Sequence, residues 1–347
     1  MLYVTTRNKQ DALTVARVLH ADRGADGGFF LPFRIPKFSE EDIRELKERT
    51  FSQNVARLLN LFFSCRISSW DVDFCVGKYP VKIVSLGSRV LVGEVWHNLN
   101  ENYSLMEKNL ASKICKTGDT DEKPSSWVRI AIGIAVLFGL FGELQKMGLV
   151  GTNQPLDIAV ESGDFAAPVT AWYAREMGLP LETIICGCND NSGIWDILHM
   201  GDMNTGTVAR QTATPEGDLI IPDNLERLIS ETLGVEECLR YCDVCRRGGV
   251  YTLSKEKLEQ LRNGMFAAVI SSDRMGSIIS NVYKTADYVL DPYGALAYGA
   301  LMDYRATNAG SKHVLLLSQR SPAQYGDVVS AAMNVTAREL KQILKRK

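Results

Sequence analysis

Apolar and polar positions alternate in blocks along this chain, and the block that organises the rest runs from Leu156 to Cys186. Leu156–Val160 reads as a buried strand, Glu161–Ala167 as a turn and Pro168–Met177 as a helix. Gly178 follows, and Thr183–Cys186 predicts a second strand. Proline at the first helical position and glycine just past the last mark where a helix starts and stops. Strand, short loop, helix and strand make the βαβ unit of a parallel sheet, whose loop faces the crevice where such sheets bind ligands. Bare backbone amides commonly cradle a phosphate at such a loop. Here an aspartate, Asp164, stands in the middle of it.

The same pattern predicts short strands at Tyr3–Thr5, Phe29–Phe33 and Val81–Leu86, and a helix over Asp11–His20. Ser39 followed by Glu40-Glu41-Asp42 opens another helix, with a side-chain cap and acidic residues over the positive helix end. Phe51–Phe63 carries Val55, Leu58, Leu59 and Phe62 on one helical face. The most apolar run, Ile130–Phe141, is shorter than the roughly 20 residues that span a bilayer and is expected to be a core helix. Leu225–Leu233 reads as helical, and one late helix is expected over Tyr325–Lys347, its basic end lying over the negative helix terminus.

Composition narrows the function classes. A chain of 347 residues with 46% apolar and 23% charged positions has enough length for a substantial core. Its net charge of -2 argues against a nucleic-acid or membrane-surface footprint. Met1–Val4 leads straight into polar residues, so no export signal is expected, and cytoplasmic residence with reduced thiols is the expectation.

Asp26-Gly27-Gly28-Phe29-Phe30-Leu31-Pro32, with Ile35-Pro36 and Phe38-Ser39-Glu40-Glu41 behind it, resembles the N-terminal cap segment of threonine synthases. The likeness continues through Ser126-Trp127-Val128-Arg129-Ile130, Glu161–Ala167, Tyr173–Pro180 and Cys188-Asn189-Asp190-Asn191. Thr214–Asp218, Asn224–Arg227, Tyr288–Pro292 and Ser321–Tyr325 are similar to the later landmarks of that family. It implies an α/β fold with a mainly parallel sheet of the tryptophan-synthase-β-like type (fold type II of the pyridoxal-phosphate enzymes), an N-terminal cap and a truncated second domain. On this basis residues 1–80 form the cap, 81–125 the remnant of the lysine motif and of the smaller domain, and 126–347 the main α/β body.

The resemblance also implies chemistry. Threonine synthases are lyases of amino-acid biosynthesis that convert O-phosphohomoserine and water into threonine and phosphate, with pyridoxal phosphate held as a Schiff base on a lysine. That lysine lies in a run Gly-Pro-Thr-x-Ala-Phe-Lys-Asp. Its counterpart here is read as Gly87–Glu94, which puts Gly93 at the lysine position and leaves no catalytic residue. About thirty residues separate Glu94 from Pro124, no more than one βαβ unit consumes, so the family's smaller domain is expected to be missing. The cofactor loop becomes Ser162, Gly163, Asp164, Phe165, Ala166 and Ala167. A carboxylate about 4 Å from a phosphate would cost about 4 kcal/mol per pair of unit charges at an effective dielectric near 20. Helix-end attraction of about 0.3–1 kcal/mol does not offset that. Glu216-Gly217 replaces the family's Ser-Met, and Gln319 stands where a Thr usually faces the pyridine nitrogen.

These departures predict a small-molecule- or protein-binding pseudoenzyme with no cofactor, or pyridoxal phosphate if the family activity survives. Arg129 and Ser126 are the candidate contacts to a small anionic ligand, and a homodimer would cover surface left by the lost domain. One alternative is an active enzyme using a shifted lysine such as Lys82. Another is a metal or iron–sulfur site at Cys238, Cys242 and Cys245, against which stands the simpler expectation that these cysteines share one helix face. The histidines show no ligand spacing, and Tyr283, Tyr288, Tyr293 and Tyr298 are expected in the cleft wall and core.

Overall fold

The computed structural model describes residues 1–77, 81–97, 102–116, 125–308 and 312–346. Its centre is a six-stranded sheet in the order β3 (Lys82–Ser85), β4 (Val90–Glu94), β10 (His313–Ser318), β5 (Leu156–Glu161), β6 (Leu181–Cys188) and β9 (Met265–Val269). Every neighbour pair is parallel except β3–β4, a hairpin that leaves β3 as an antiparallel edge. Two short antiparallel pairs stand apart: β1 (Tyr3–Thr5) with β2 (Phe30–Pro32), and β7 (Asp202–Asn204) with β8 (Val250–Thr252). The sheet is therefore mixed but mostly parallel, the α/β architecture expected.

Helices cover both faces, as a parallel sheet requires. Alternate residues along each strand divide between two apolar cores. Leu91, Ile158, Val160, Ile184, Cys186, Leu315 and Leu317 face the core beneath the helices Phe51–Phe63, Ser126–Lys146 and Ala166–Met177. Val90, Val92, Ala159, Ile185, Val314 and Leu316 face the helices Ser272–Ala286, Pro292–Thr307 and Gly326–Met333. The cap shares the first core, because the helix Phe51–Phe63 packs directly on Ser126–Lys146.

Several expected elements move at their ends. The helix after β5 begins at Ala166, two residues before Pro168, and β6 extends to Leu181–Cys188. The helix expected over Asp11–His20 is confined to Val15–Leu19. Ser39 and Asp42 form the reciprocal cap that their spacing predicts. The single late helix is instead two, Gly326–Met333 and Ala337–Lys345. Asn334 ends the first in the left-handed region (φ 55°), and Thr336 opens the second with a cap completed by Glu339. The tract Lys116–Pro124 lies outside the described residues beyond Lys116. Between Glu94 and Ser126 the described residues hold one helix, Tyr103–Cys115, and no strand.

The apolar run at Ile130–Phe141 belongs to a 21-residue helix, Ser126–Lys146, long and apolar enough to cross a membrane by length and composition. It is a core helix, because 89% of its most apolar window is buried inside the fold. Small residues let its neighbours come close. A Cβ on Gly142 would stand 2.8 Å from the carbonyl oxygen of Leu46 and 2.9 Å from the Asn54 amide that donates to that same oxygen. Gly142→Ala is therefore expected to lower unfolding stability by about 1–3 kcal/mol in urea titration. Gly151→Ala, whose new methyl meets only ordinary contact with Gln154, stays within about 0.5 kcal/mol of the parent.

Candidate functional site

The C-terminal ends of β10 and β5 open onto a cleft of about 390 Å³, closed on its other sides by the helices beginning at Tyr103, Ser126 and Ala166. Ligands of open parallel sheets sit in this position. The loop after β5 forms one wall. Phe165 is left-handed (φ 66°), unusual for a bulky residue, and is held by complete burial and by its N–H donating to the Ser162 carbonyl at 2.6 Å. The Asp164 carbonyl accepts from the backbone and side-chain amides of Asn224, both at 3.1 Å.

The Asp164 carboxylate turns back onto its own helix, accepting the Ala166 N–H at 3.0 Å. An internal anion thus takes an amide and the positive helix end that an inherited phosphate cradle would offer. Beneath the loop, Glu161 Oε2 would stand 2.4 Å from a Cβ on Gly163, so only glycine leaves room for that carboxylate.

Two guanidiniums span the cleft, and carboxylates consume both. Arg129 donates from Nε to Glu107 at 3.1 Å and stands 4.0 Å from Asp164. Arg320 donates to Glu161 at 3.2 Å and to Glu216, with its guanidinium 3.7 Å from the centre of the Tyr293 ring. Glu216 is delivered there by its backbone N–H, which donates to Tyr293 Oη at 3.1 Å. Burial raises the Glu107 carboxyl above its ordinary range; Arg129 opposes the shift and Asp164 adds to it. Glu161 is raised in the same way, against Arg320, and its Oε2 has no hydrogen-bond partner. Four carboxylates against two guanidiniums line one small cleft.

Gly93 does not stand in the cleft. It lies within β4, opposite Leu317, where a Cβ would meet Leu140 at 2.7 Å and Leu315 at 3.0 Å. This corrects the placement of the lysine position, because a side chain there points into the core. The residue at the cleft-facing helix start is Ser104, whose helix is capped by Asn102 accepting the Leu105 N–H. Laying the lysine run over Asn98–Leu105 puts Tyr103 at its Phe and Ser104 at its Lys, although 98–101 lie outside the described residues. No lysine is among the described residues that line the cleft. Lys82 sits on the edge strand beside a different cavity, its ammonium 4.0 Å from Glu94.

The other expected residues separate. Gly163, Asp164, Ala166, Ala167, Arg129 and Gln319 line the cleft. Ser126 faces an adjoining hollow, its Oγ accepting from Arg227 at 2.7 Å and its N–H donating to Asp22 at 2.6 Å, so it has no place beside a ligand of the main cleft. Arg227 is fully buried, and burial pushes it down to about 10. Cys238 and Cys242 approach Glu226 on the helix Val235–Arg247, with one atom of each within 4.8 Å of the others. The Glu226 carboxylate already receives Thr6 and two nitrogens of Arg7, so a cation would have to displace a paired guanidinium. Cys245 is not in that group.

Glu107, Glu161, Glu216 and Arg320 were not assigned to the site from the sequence. Glu161 and Glu216 sit inside the similar runs and could have been weighed as charges. Glu107 could have been found only through the register that puts Ser104 at the helix start.

This cleft does not fit pyridoxal phosphate. Among the described residues its lining holds no amine to form a Schiff base, a carboxylate takes up an amide of the phosphate loop, and the surrounding charge has the wrong sign for an anion.

Comparison with known proteins gives the ancestry. The sequence model described as Threonine synthase N terminus matches residues 2–78. Human Threonine synthase-like 1 is 25% identical over 185 residues, covering 50% of this chain and 24% of that protein. Threonine synthase of Saccharomyces cerevisiae is 24% identical over 225 residues, covering 60% of this chain and 43% of the enzyme. The chain thus spans less than half the length of the curated relatives it matches. Among solved structures, pyridoxal-phosphate-bound threonine synthase from Brucella melitensis superposes with a TM-score of 0.84 at 20% identity, covering 100% of this chain and 95% of that one. The yeast threonine synthase structure gives 0.81 at 16% identity, over 99% and 94%. These structural likenesses establish the fold, and the cap match and the curated relatives support a relationship to the threonine synthase family.

Proposed function

We propose that this protein is a binding member of the threonine synthase family that no longer performs Schiff-base chemistry, and that its cleft takes a small molecule bearing a positive charge. The observation that carries this reading is the composition of the cleft wall: Ser104 at the helix start, no lysine among the described lining residues, and four carboxylates against two guanidiniums. Without that amine the nucleophile is gone, and no described residue lining the cleft replaces it. Reversed charge removes the affinity for a phosphate, whichever molecule carries it. The small anionic ligand implied by the resemblance is therefore replaced by a cationic or zwitterionic one.

Two measurements test this. Incubation with equimolar pyridoxal phosphate, borohydride reduction and peptide mass spectrometry should yield no stoichiometric pyridoxyl-lysine; one fully labelled lysine reaching the cleft would overturn the reading.

The second measurement is calorimetric titration with putrescine and with inorganic phosphate. Putrescine should saturate and phosphate should give no heat of binding. Because burial raises the Glu107 and Glu161 carboxyls, their charge returns only as pH climbs through a range above that of ordinary carboxylates. Amine affinity should therefore rise with pH across that interval. Glu216→Gln, which removes one charge, should weaken it at least about fivefold. Tighter binding of phosphate than of putrescine, or affinity that falls as pH rises, would contradict the proposal.

A further inference from the structure

A second cavity, of about 770 Å³, lies at the β3 edge of the sheet, away from the cleft. Val81 just before the edge strand, Val84 within it, Trp96, Val289 and Leu344 give it apolar walls. Cavities of this size with such walls are the usual form of a small-molecule site.

The polar groups within the walls are already satisfied by the protein. Glu94, 4% exposed, accepts from Tyr288 Oη at 2.6 Å and is paired with the His97 ring, which stacks on Trp96. The Trp96 indole donates to Ser318 Oγ at 3.2 Å, and Ser321 Oγ accepts the Ala323 N–H at 3.3 Å. A ligand body entering here meets few hydrogen-bonding demands, which favours an alkyl chain over a sugar or a nucleotide.

Charge on the rim selects the head group. Lys341 and Lys345 stand one turn apart on the terminal helix Ala337–Lys345, both exposed and both bordering the cavity with Leu344 between them. Lys82 borders it from the edge strand. The lining also carries two carboxylates, Glu94 and Asp287; Glu94 holds Tyr288, His97 and, at 4.0 Å, the Lys82 ammonium, so the head group falls to Lys341 and Lys345.

We propose that this cavity binds one free fatty acid, its chain against Trp96, Val289 and Leu344 and its carboxylate between Lys341 and Lys345. The site is separate from the cleft and does not depend on what the cleft holds.

The test is calorimetric titration of the full chain with sodium dodecanoate below its micelle concentration. Saturation at one per chain is expected, with dodecyltrimethylammonium, the same tail under the opposite charge, at least about tenfold weaker. Decanoate should be at least about tenfold weaker for its two missing methylenes. The double variant K341E/K345E should lose at least about tenfold in dodecanoate affinity while melting at the parent temperature, since both side chains are exposed. Ala323→Trp, at an exposed position bordering the cavity, should block the chain without disturbing the core. Equal affinity for the two head groups, unchanged binding in both variants, no saturation at one per chain, or binding to phosphatidylglycerol vesicles without binding of free dodecanoate would overturn it.

Discussion

The fold depends on one burial: the helix Ser126–Lys146 lies inside the protein along most of its length, apolar on nearly every side. Such a helix cannot tilt or slide without opening voids in the close-packed layers around it. The helices Phe51–Phe63 and Ala166–Met177 and the first face of the sheet pack onto it, so the cap and the strand-ending loops are positioned from the same rigid rod. Its polar work is confined to its ends. Arg129, in the first turn, brings the rod's charge to the cleft, and its position across from Asp164 follows from that packing.

Within the cleft, electrostatics sets the character of the site. An isolated buried guanidinium would be a ready anion receptor. Here each one is bracketed by two carboxylates from different elements: Glu107 and Asp164 for Arg129, Glu161 and Glu216 for Arg320. These pairings consume the donors that a phosphate would have used and leave an excess of acceptors. Asp164 adds to this by accepting an amide of the helix that follows its loop.

The sequence made the scaffold readable and the site only partly so. Continuous apolar strands, the Ser39 cap, the helix Phe51–Phe63 and the loop at Asp164 were available from periodicity and turn chemistry, because each is decided by neighbours in sequence. Gly93 was misplaced because Val90–Glu94 is a strand buried in the sheet, while the helix start that reaches the cleft lies ten residues on, in a stretch with weak likeness to any motif. Ser126 resembled a ligand contact by position, yet the buried Arg227 takes its hydroxyl, a partner 101 residues away that no local pattern could have announced. The late helix broke at Asn334 because one left-handed residue is enough to stop a helix whose apolar periodicity otherwise continues.

Arg227 has a wider consequence. Its guanidinium donates to the Phe30 carbonyl in the N-terminal segment, to Asn224 on the strand-side loop and to Ser126 at the head of the central helix, and lies 4.4 Å from the Phe29 ring. One solvent-free cation is therefore the common fastener of three chain regions that are distant in sequence. Stripping away the first thirty-odd residues would leave a desolvated charge short of an acceptor, so the amino-terminal piece cannot be traded or shed like an independent module. That shared dependency ties the amino-terminal piece to the body without any role in ligand recognition.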